Sequence, residues 1–232
     1  MLKLVFLETS LELVPPNIAR HPAIVKDARR RKKKPTKIIL DDSKHHAAMK
    51  DLDAREKRGR PDIIHQCLLS VLDSRASRFV DVYVHTIDDT VIWINNETRL
   101  PRNYNRFIGL MEDLFEKRDI RANNKVLLKI LDVELEDLFK DVEAVVVLTE
   151  KGDKDERFLR EVFRSKERVA ICIGAFPHGD FEEDTLEILK EFNTEFVAIA
   201  KEPLTSLYIT NRVICIYEDE RVLSDRNGQK YA

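Results

Sequence analysis

Three stretches of the last third, "EAVVVLTEKG", "RVAICIGAFPHGD" and "EFVAIAKEPLTS", share one plan: an apolar, β-branched run followed at once by a short loop. The loops begin about 25 residues apart, at Thr149, Gly174 and Ala200. Two segments of helical character, "KDERFLREVFRSKE" and "EDTLEILKEF", fill the gaps. A strand that returns parallel to its predecessor needs a long crossover, and such crossovers are right-handed. The spacing therefore predicts a parallel sheet in which all three loops leave from the carboxyl ends of their strands. That is the edge at which open α/β sheets hold ligands.

The loops also narrow the ligand by what they lack. Gly174 and Gly179 are not followed by Lys-Ser or Lys-Thr, so there is no triphosphate cradle, and no GxGxxG run supplies a dinucleotide fingerprint. Backbone N–H and C=O groups, small residues and the apolar Leu148, Ile173, Phe176, Ile199 and Leu204 suit an adenine-bearing ligand without a pyrophosphate. S-adenosylmethionine is one such ligand. The chain has only six glycines, and the two in "IGAFPHGDF" would let backbone approach a ligand closely.

Upstream, "KLVFLE" and "TKIILDD" read as short buried strands joined by a basic, proline-containing connection. Ile63, Ile64, Cys67, Leu68, Val71 and Leu72 recur with helical period, and Pro61 suits the first turn of that helix. "VDVYVHT" and "TVIWINN" alternate as an antiparallel hairpin. In "PRNYNRFIGLMEDLFEKR", Phe107, Leu110, Met111, Leu114 and Phe115 form one helical stripe, and a core role is the ordinary one for such a stripe. A length of 232 residues suits one domain with an insertion or two small ones.

With 35% charged residues the net charge is only -2, yet Lys26 to Lys37 is strongly basic and Glu134 to Glu143 acidic. A basic block in a folded chain suggests a polyanion partner; a solvated charged face is the alternative. Arg99, Arg102 and Arg106 recur at intervals of three and four, so the latter two share one face of a helix over "RNYNRF" and suit successive phosphates. Tyr104 among them could stack on a splayed base or simply pack. Cys67, Cys172 and Cys215 stand singly in apolar surroundings and read as buried, reduced core residues. Of the histidines only His45 and His46 are close in sequence, and neighbours face different ways, so no metal site is expected. The start "MLKLVFLE" is too soon charged for a signal peptide and no run approaches 18 apolar residues. The expectation is a soluble, cytoplasmic protein.

Several motifs, in order, carry a resemblance: "GRPDIIHQCLL" (59 to 69), "YVHT" (83 to 86), "TRLPRNYNRFIGLMEDL" (98 to 114), "LTEKG" (148 to 152), "IGAFPHGDF" and "EPLTS" (202 to 206). Together they resemble the Nep/Emg family of the SPOUT superfamily, ribosome-biogenesis methyltransferases that act on the N1 atom of pseudouridine in small-subunit ribosomal RNA. The likeness runs from about residue 21 to about 218. It departs at "DSRAS" (73 to 77), where the family has a Ser-Pro-Leu-Asn stretch.

The resemblance implies a single α/β domain over 1–232, with a hairpin and helix extension at about 79–120 and a C-terminal trefoil knot at about 143–220. It implies S-adenosylmethionine as cofactor, held by Thr149, Gly152, Gly174, Ala175, Phe176, Gly179, Ala200, Pro203, Leu204 and Thr205. It implies RNA binding by Arg60, Arg99, Arg102 and Arg106, and a homodimer packed through knot-region helices. Methylation requires the N1 proton to leave, and Arg60 and Asp62 of "GRPD" are the candidate catalytic pair. Asp62 accepts the proton, directly or through water, or holds Arg60; Arg60 stabilises charge on the uracil ring or binds phosphate. A non-catalytic RNA-binding assembly factor of the same fold is the alternative. A small-metabolite enzyme would leave the basic run and the arginine set unexplained.

Overall fold

β1 (Leu2–Thr9) is apolar at odd and even positions alike: Leu2, Leu4 and Phe6 join one core, Val5 and Leu7 another. Such a strand must be covered on both faces. The computed structural model describes residues 1–223 and sets β1 inside one eight-stranded sheet. The other strands are β2 (Val80–Thr86), β3 (Val91–Ile94), β4 (Asp119–Ala122), β5 (Lys125–Leu131), β6 (Ala144–Leu148), β7 (Val169–Gly174) and β8 (Thr194–Val197). Their order across the sheet is β4-β5-β3-β2-β1-β7-β6-β8. β2, β1, β7, β6 and β8 run parallel, as the spacing of the three apolar runs predicts. β3, β5 and β4 continue the sheet antiparallel, with the expected hairpin pairing Val82 to Ile94 and Val84 to Ile92.

Among the described residues seven α-helices accompany the sheet: α1 (Pro22–Arg30), α2 (Asp42–His45), α3 (Pro61–Asp73), α4 (Tyr104–Lys117), α5 (Glu156–Ser165), α6 (Glu183–Lys190) and α7 (Ser206–Tyr217). α3, α4, α5 and α7 pack on the face of Leu4, Phe6, Val146 and Ile171. On the opposite face α6 and the turn Leu135–Leu138 cover Val5, Val145, Val147 and Cys172. The apolar stripe of α4 lies in the core, with Phe107, Met111 and Leu114 buried. Pro61 opens α3 as expected. The "DSRAS" segment forms a tight turn whose buried Ala76 donates its N–H to Glu218 Oε1 at 3.0 Å.

Three expectations give way. "TKIILDD" is not a strand: Ile39 makes a single bridge to Leu13, and Asp41 caps α2 instead. Three apolar residues in a row are too few to fix a period, and Ile38 and Leu40 fill a small separate core with Ile24 and Met49. The basic connection contains a helix, α1, begun by His21 and Pro22. Cys215 is exposed on α7, while Cys67 and Cys172 are buried. The hairpin of β4 and β5 turns at Asn123 and Asn124, both at positive φ, a pairing of residues suited to the tight hairpin turn.

The basic run divides into two uses. Glu112 of α4 is buried and accepts from Arg31 at 2.6 Å, Lys33 at 2.9 Å and the N–H of Ile39 at 3.0 Å. Arg31 and Lys33 are thus committed to structure, whereas Lys26, Arg29, Lys32, Lys34 and Lys37 are exposed. Glu112→Ala takes the nearest carboxylate from two partly buried cations, leaving them the longer contacts to Asp27 and Asp113, and removes the acceptor of one N–H. It should cost about 2–3 kcal/mol in denaturant unfolding, with Glu112→Gln losing less.

Candidate active site

The carboxyl ends of β6, β7 and β8 lie level, with Leu148 beside Ile173 and beside Val197. The three loops that leave there enclose a cleft of about 410 Å³, within the range of small-molecule sites. Thr149 lines it from the first loop, Gly174, Phe176 and Gly179 from the second, and Ala200, Pro203 and Leu204 from the third. Leu148, Ile173 and Ile199 supply apolar wall, as expected, and Ile209 of α7 adds to it. Gly174 is a tight point: a Cβ there would stand 2.9 Å from the ring of Phe176, which itself lines the cleft. Ser206 Oγ donates to Gly174 O at 2.6 Å, fastening the start of α7 to the end of β7.

Three of the expected contact residues stand behind the wall. Gly152 presses on β8, where a Cβ would come within 2.5 Å of the Val197 carbonyl carbon, and its own carbonyl accepts from Lys201 at 2.9 Å. Ala175 is buried and bridges outward, its N–H donating to Leu7 O and its carbonyl accepting from Ser10 N, both at 3.0 Å. Thr205 caps α7, accepting from Tyr208 N at 3.2 Å. Glu150, Pro177, His178, Asp180, Phe181 and Glu202 line the cleft unannounced, although each falls within a quoted motif. Asp180 meets Lys151 at 2.6 Å, joining the second loop to the first.

A second, more open depression of about 420 Å³ adjoins the cleft and shares Pro177 and His178 with it. Arg55, Arg58, Arg60, Asp42, His46 and Glu56 line the rest. Arg60 and Asp62 form a bidentate pair, Nε to Oδ1 and Nη2 to Oδ2, both at 2.8 Å and both partly exposed. The pair raises the already high pKa of Arg60, so the guanidinium stays charged. The Arg60 N–H donates to Ser10 Oγ at 2.7 Å, and Ser10 in turn bonds Ala175. Two hydrogen bonds therefore connect the "GRPD" loop to the second of the three cleft loops. Arg58 is paired with Glu12, whose pKa burial raises despite that partner.

Arg99, Arg102 and Arg106 are all exposed. They do not form the helical pair expected, because α4 starts at Tyr104 and Asn103 is its cap, accepting from Arg106 N at 3.1 Å. Arg102 precedes the helix and meets Asp73 at the end of α3 at 2.8 Å. Asn103, four residues before Phe107 where the apolar stripe begins, is a residue type favoured at helix caps. His65 holds this segment, bonding Pro101 O at 2.8 Å and stacking on Phe107 at 4.2 Å. Tyr104 is packed, half-buried, and donates to Asp41 Oδ2 at 3.0 Å. Burial and the neighbouring Asp41 push its pKa far up. Among the described residues no group of three potential ligands converges as a metal site would require, and no helix is long and apolar enough to cross a membrane.

Comparison with known proteins agrees with this arrangement. A model of the family "EMG1/NEP1 methyltransferase" matches residues 4–218. The Archaeoglobus fulgidus protein named ribosomal RNA small subunit methyltransferase Nep1 is 56% identical over 217 residues, covering 94% of this chain and 95% of its own. The protein of the same name from Thermococcus kodakarensis is 44% identical over 94% of this chain and 98% of its own. A crystal structure of Archaeoglobus fulgidus Nep1 bound to S-adenosylhomocysteine superposes with a TM-score of 0.89 at 55% identity, covering 95% of this chain and 98% of that one. The sheet, the three-loop cleft and likeness over nearly the whole length agree, and the chain belongs to the EMG1/NEP1 methyltransferase family.

Proposed function

We propose that this protein is an S-adenosylmethionine-dependent methyltransferase of small-subunit ribosomal RNA that modifies the N1 atom of a pseudouridine during ribosome biogenesis. One observation carries the reading: the three-loop cleft opens beside the depression of Arg60, with Pro177 and His178 in common. A methyl donor on one side and a base on the other would meet across those residues. The donor set fits the cofactor, since apolar wall faces an adenine and glycine backbone at Gly174 and Gly179 leaves room for close approach. The relatives' name supports ribosomal RNA as substrate, and the neighbour holding S-adenosylhomocysteine supports the donor.

When bound, S-adenosylmethionine supplies an electrophilic methyl group. The chain's own work is to position the uracil ring and to accommodate the charge left when the N1 proton leaves. Arg60 is suited to that charge because its guanidinium is permanently protonated and partly exposed toward the depression. Both carboxylate oxygens of Asp62 are engaged by Arg60. That supports Asp62 as the residue that aims Arg60 rather than as the base. Arg99, Arg102 and Arg106, all exposed, hold phosphates elsewhere along the RNA. The exposed face of α7, with Tyr208 and Cys215, is the helix surface proposed for a homodimer, and the trefoil knot belongs to the same reading. The setting proposed is cytoplasmic.

Four results are expected. Calorimetry should find S-adenosylhomocysteine bound by the wild type and weakened about tenfold or more by Gly174→Val, through the crowding of Phe176; wild-type affinity in that variant would remove the second loop from the site. Labelled methyl should pass to a pseudouridine-containing hairpin and not to its uridine version. In single-turnover measurements at saturating RNA, Asp62→Asn should slow the transfer with no recovery at higher pH. Alkaline rescue of a loss of about 10²–10⁴ would reassign Asp62 to proton removal. Arg106→Ala should reduce the salt dependence of hairpin binding by roughly 0.7 to 0.9 in the log–log slope while leaving S-adenosylhomocysteine affinity intact.

A further inference from the structure

Behind the cleft, outside the residues given a role so far, lies a buried ammonium. Lys57 ends the short turn Arg55–Lys57 and is 3% exposed. Its Nζ donates to Glu8 Oε2 at 2.7 Å and to Glu182 Oε1 at 2.6 Å. Burial works against the charge, and the two carboxylates more than offset it, so its pKa lies above the ordinary lysine value. Nζ also stands 4.7 Å from the centre of the Phe176 ring, within cation–π range.

Every segment of the second loop rests on this side chain. Phe176 at the start lies against the ammonium. Gly179 in the middle, at φ +97, is so close that a Cβ would stand 3.3 Å from Lys57 Cε. Glu182 at the end is tied twice, through its carboxylate to Lys57 and through its N–H to Glu8 Oε1 at 2.8 Å. Glu8 in turn sits at φ +46, a left-handed conformation uncommon for a non-glycine residue. A residue held in such a conformation is maintained by its surroundings, here by the ion pair and by His85 Nδ1, which accepts the Glu8 N–H at 3.5 Å. Three residues beyond Lys57 the chain reaches Arg60.

We propose that Lys57 is a positioning residue that fixes the Phe176–Phe181 wall of the cleft and fastens it to the Arg60 loop, so that cofactor affinity depends on an ion pair made outside the cleft. The inference rests on the reading of the cleft as the S-adenosylmethionine site. Glu182, more than half exposed as a side chain, can be removed without opening the core. Glu182→Ala should weaken S-adenosylhomocysteine roughly tenfold, the scale of one hydrogen bond between charged groups, and Glu182→Asp should recover most of that. The Glu8→Gln/Lys57→Met double variant removes both buried charges together, which avoids stranding one, and should weaken binding more. Hairpin affinity without cofactor should stay within about twofold of wild type in Glu182→Ala. If the wild type binds S-adenosylhomocysteine and both Glu182→Ala and the double variant bind it equally well, Lys57 has no positioning role. If the wild type itself does not bind, the reading of the cleft fails instead.

Discussion

The pairing of β1 with β2 on one side and β7 on the other is the constraint on which the remaining architecture depends. β1 is the first strand in sequence and lies near the middle of the sheet, parallel to both neighbours. One side leads to the antiparallel strands, the other to the three strands whose loops form the cleft. Leu7 lies opposite Gly174, and the ladder continues past the end of β7 through Ala175 to Ser10. The exit of β1 therefore brings Ser10 beside the second loop, and Ser10 receives the Arg60 N–H. The proposed catalytic arginine is thus tied through the Ser10 hydroxyl to the backbone ladder at the centre of the sheet.

Much of this was readable from residue patterns where the period was long enough. The apolar runs ending at Leu148, Ile173 and Ile199 gave the parallel strands and the edge carrying the cleft. The hairpin of β2 and β3 and the helices α3 to α6 also follow from alternation and stripe. Short segments were not readable in this way: "TKIILDD" has strand composition, yet its apolar residues serve a small core beside α1 and α2. The candidate site divides similarly. Small residues at strand ends marked the loops, but which of them face the cleft and which, like Gly152, Ala175 and Thr205, are engaged with neighbouring backbone depends on tertiary contacts. Lys57 could not be found from sequence, because a lone lysine gives no sign that Glu8 and Glu182, 49 and 125 residues away, converge on it.

Charge serves two separate purposes in this chain. Glu112, Glu12 and Glu8 are buried acids whose cationic partners, Arg31 with Lys33, Arg58 and Lys57, are drawn from the segment between residues 31 and 58. Removing one member of such a pair leaves the other without compensation, so these interactions favour one arrangement of the 10–60 region over looser alternatives. Other basic residues, Arg99, Arg106 and the exposed lysines of the 26–37 run, face solvent, where a polyanion can reach them. Counting charge along the sequence merges the two groups; burial separates them.

The two ends of the sheet handle their unpaired backbone differently. At β4 the strand is only four residues long, its register slips between Ile120 and Arg121, and Arg121 stands exposed; short, irregular, charged edges discourage another chain from adding a strand. At β8 the outer side is taken up by the first cleft loop itself, where Lys154 donates to Phe196 O and accepts from Ala198 N. A single loop thus lines a binding pocket and screens a sheet edge. Its sequence is answerable to solubility as well as to ligand, and a change that opens it would promote self-association whether or not the pocket is filled.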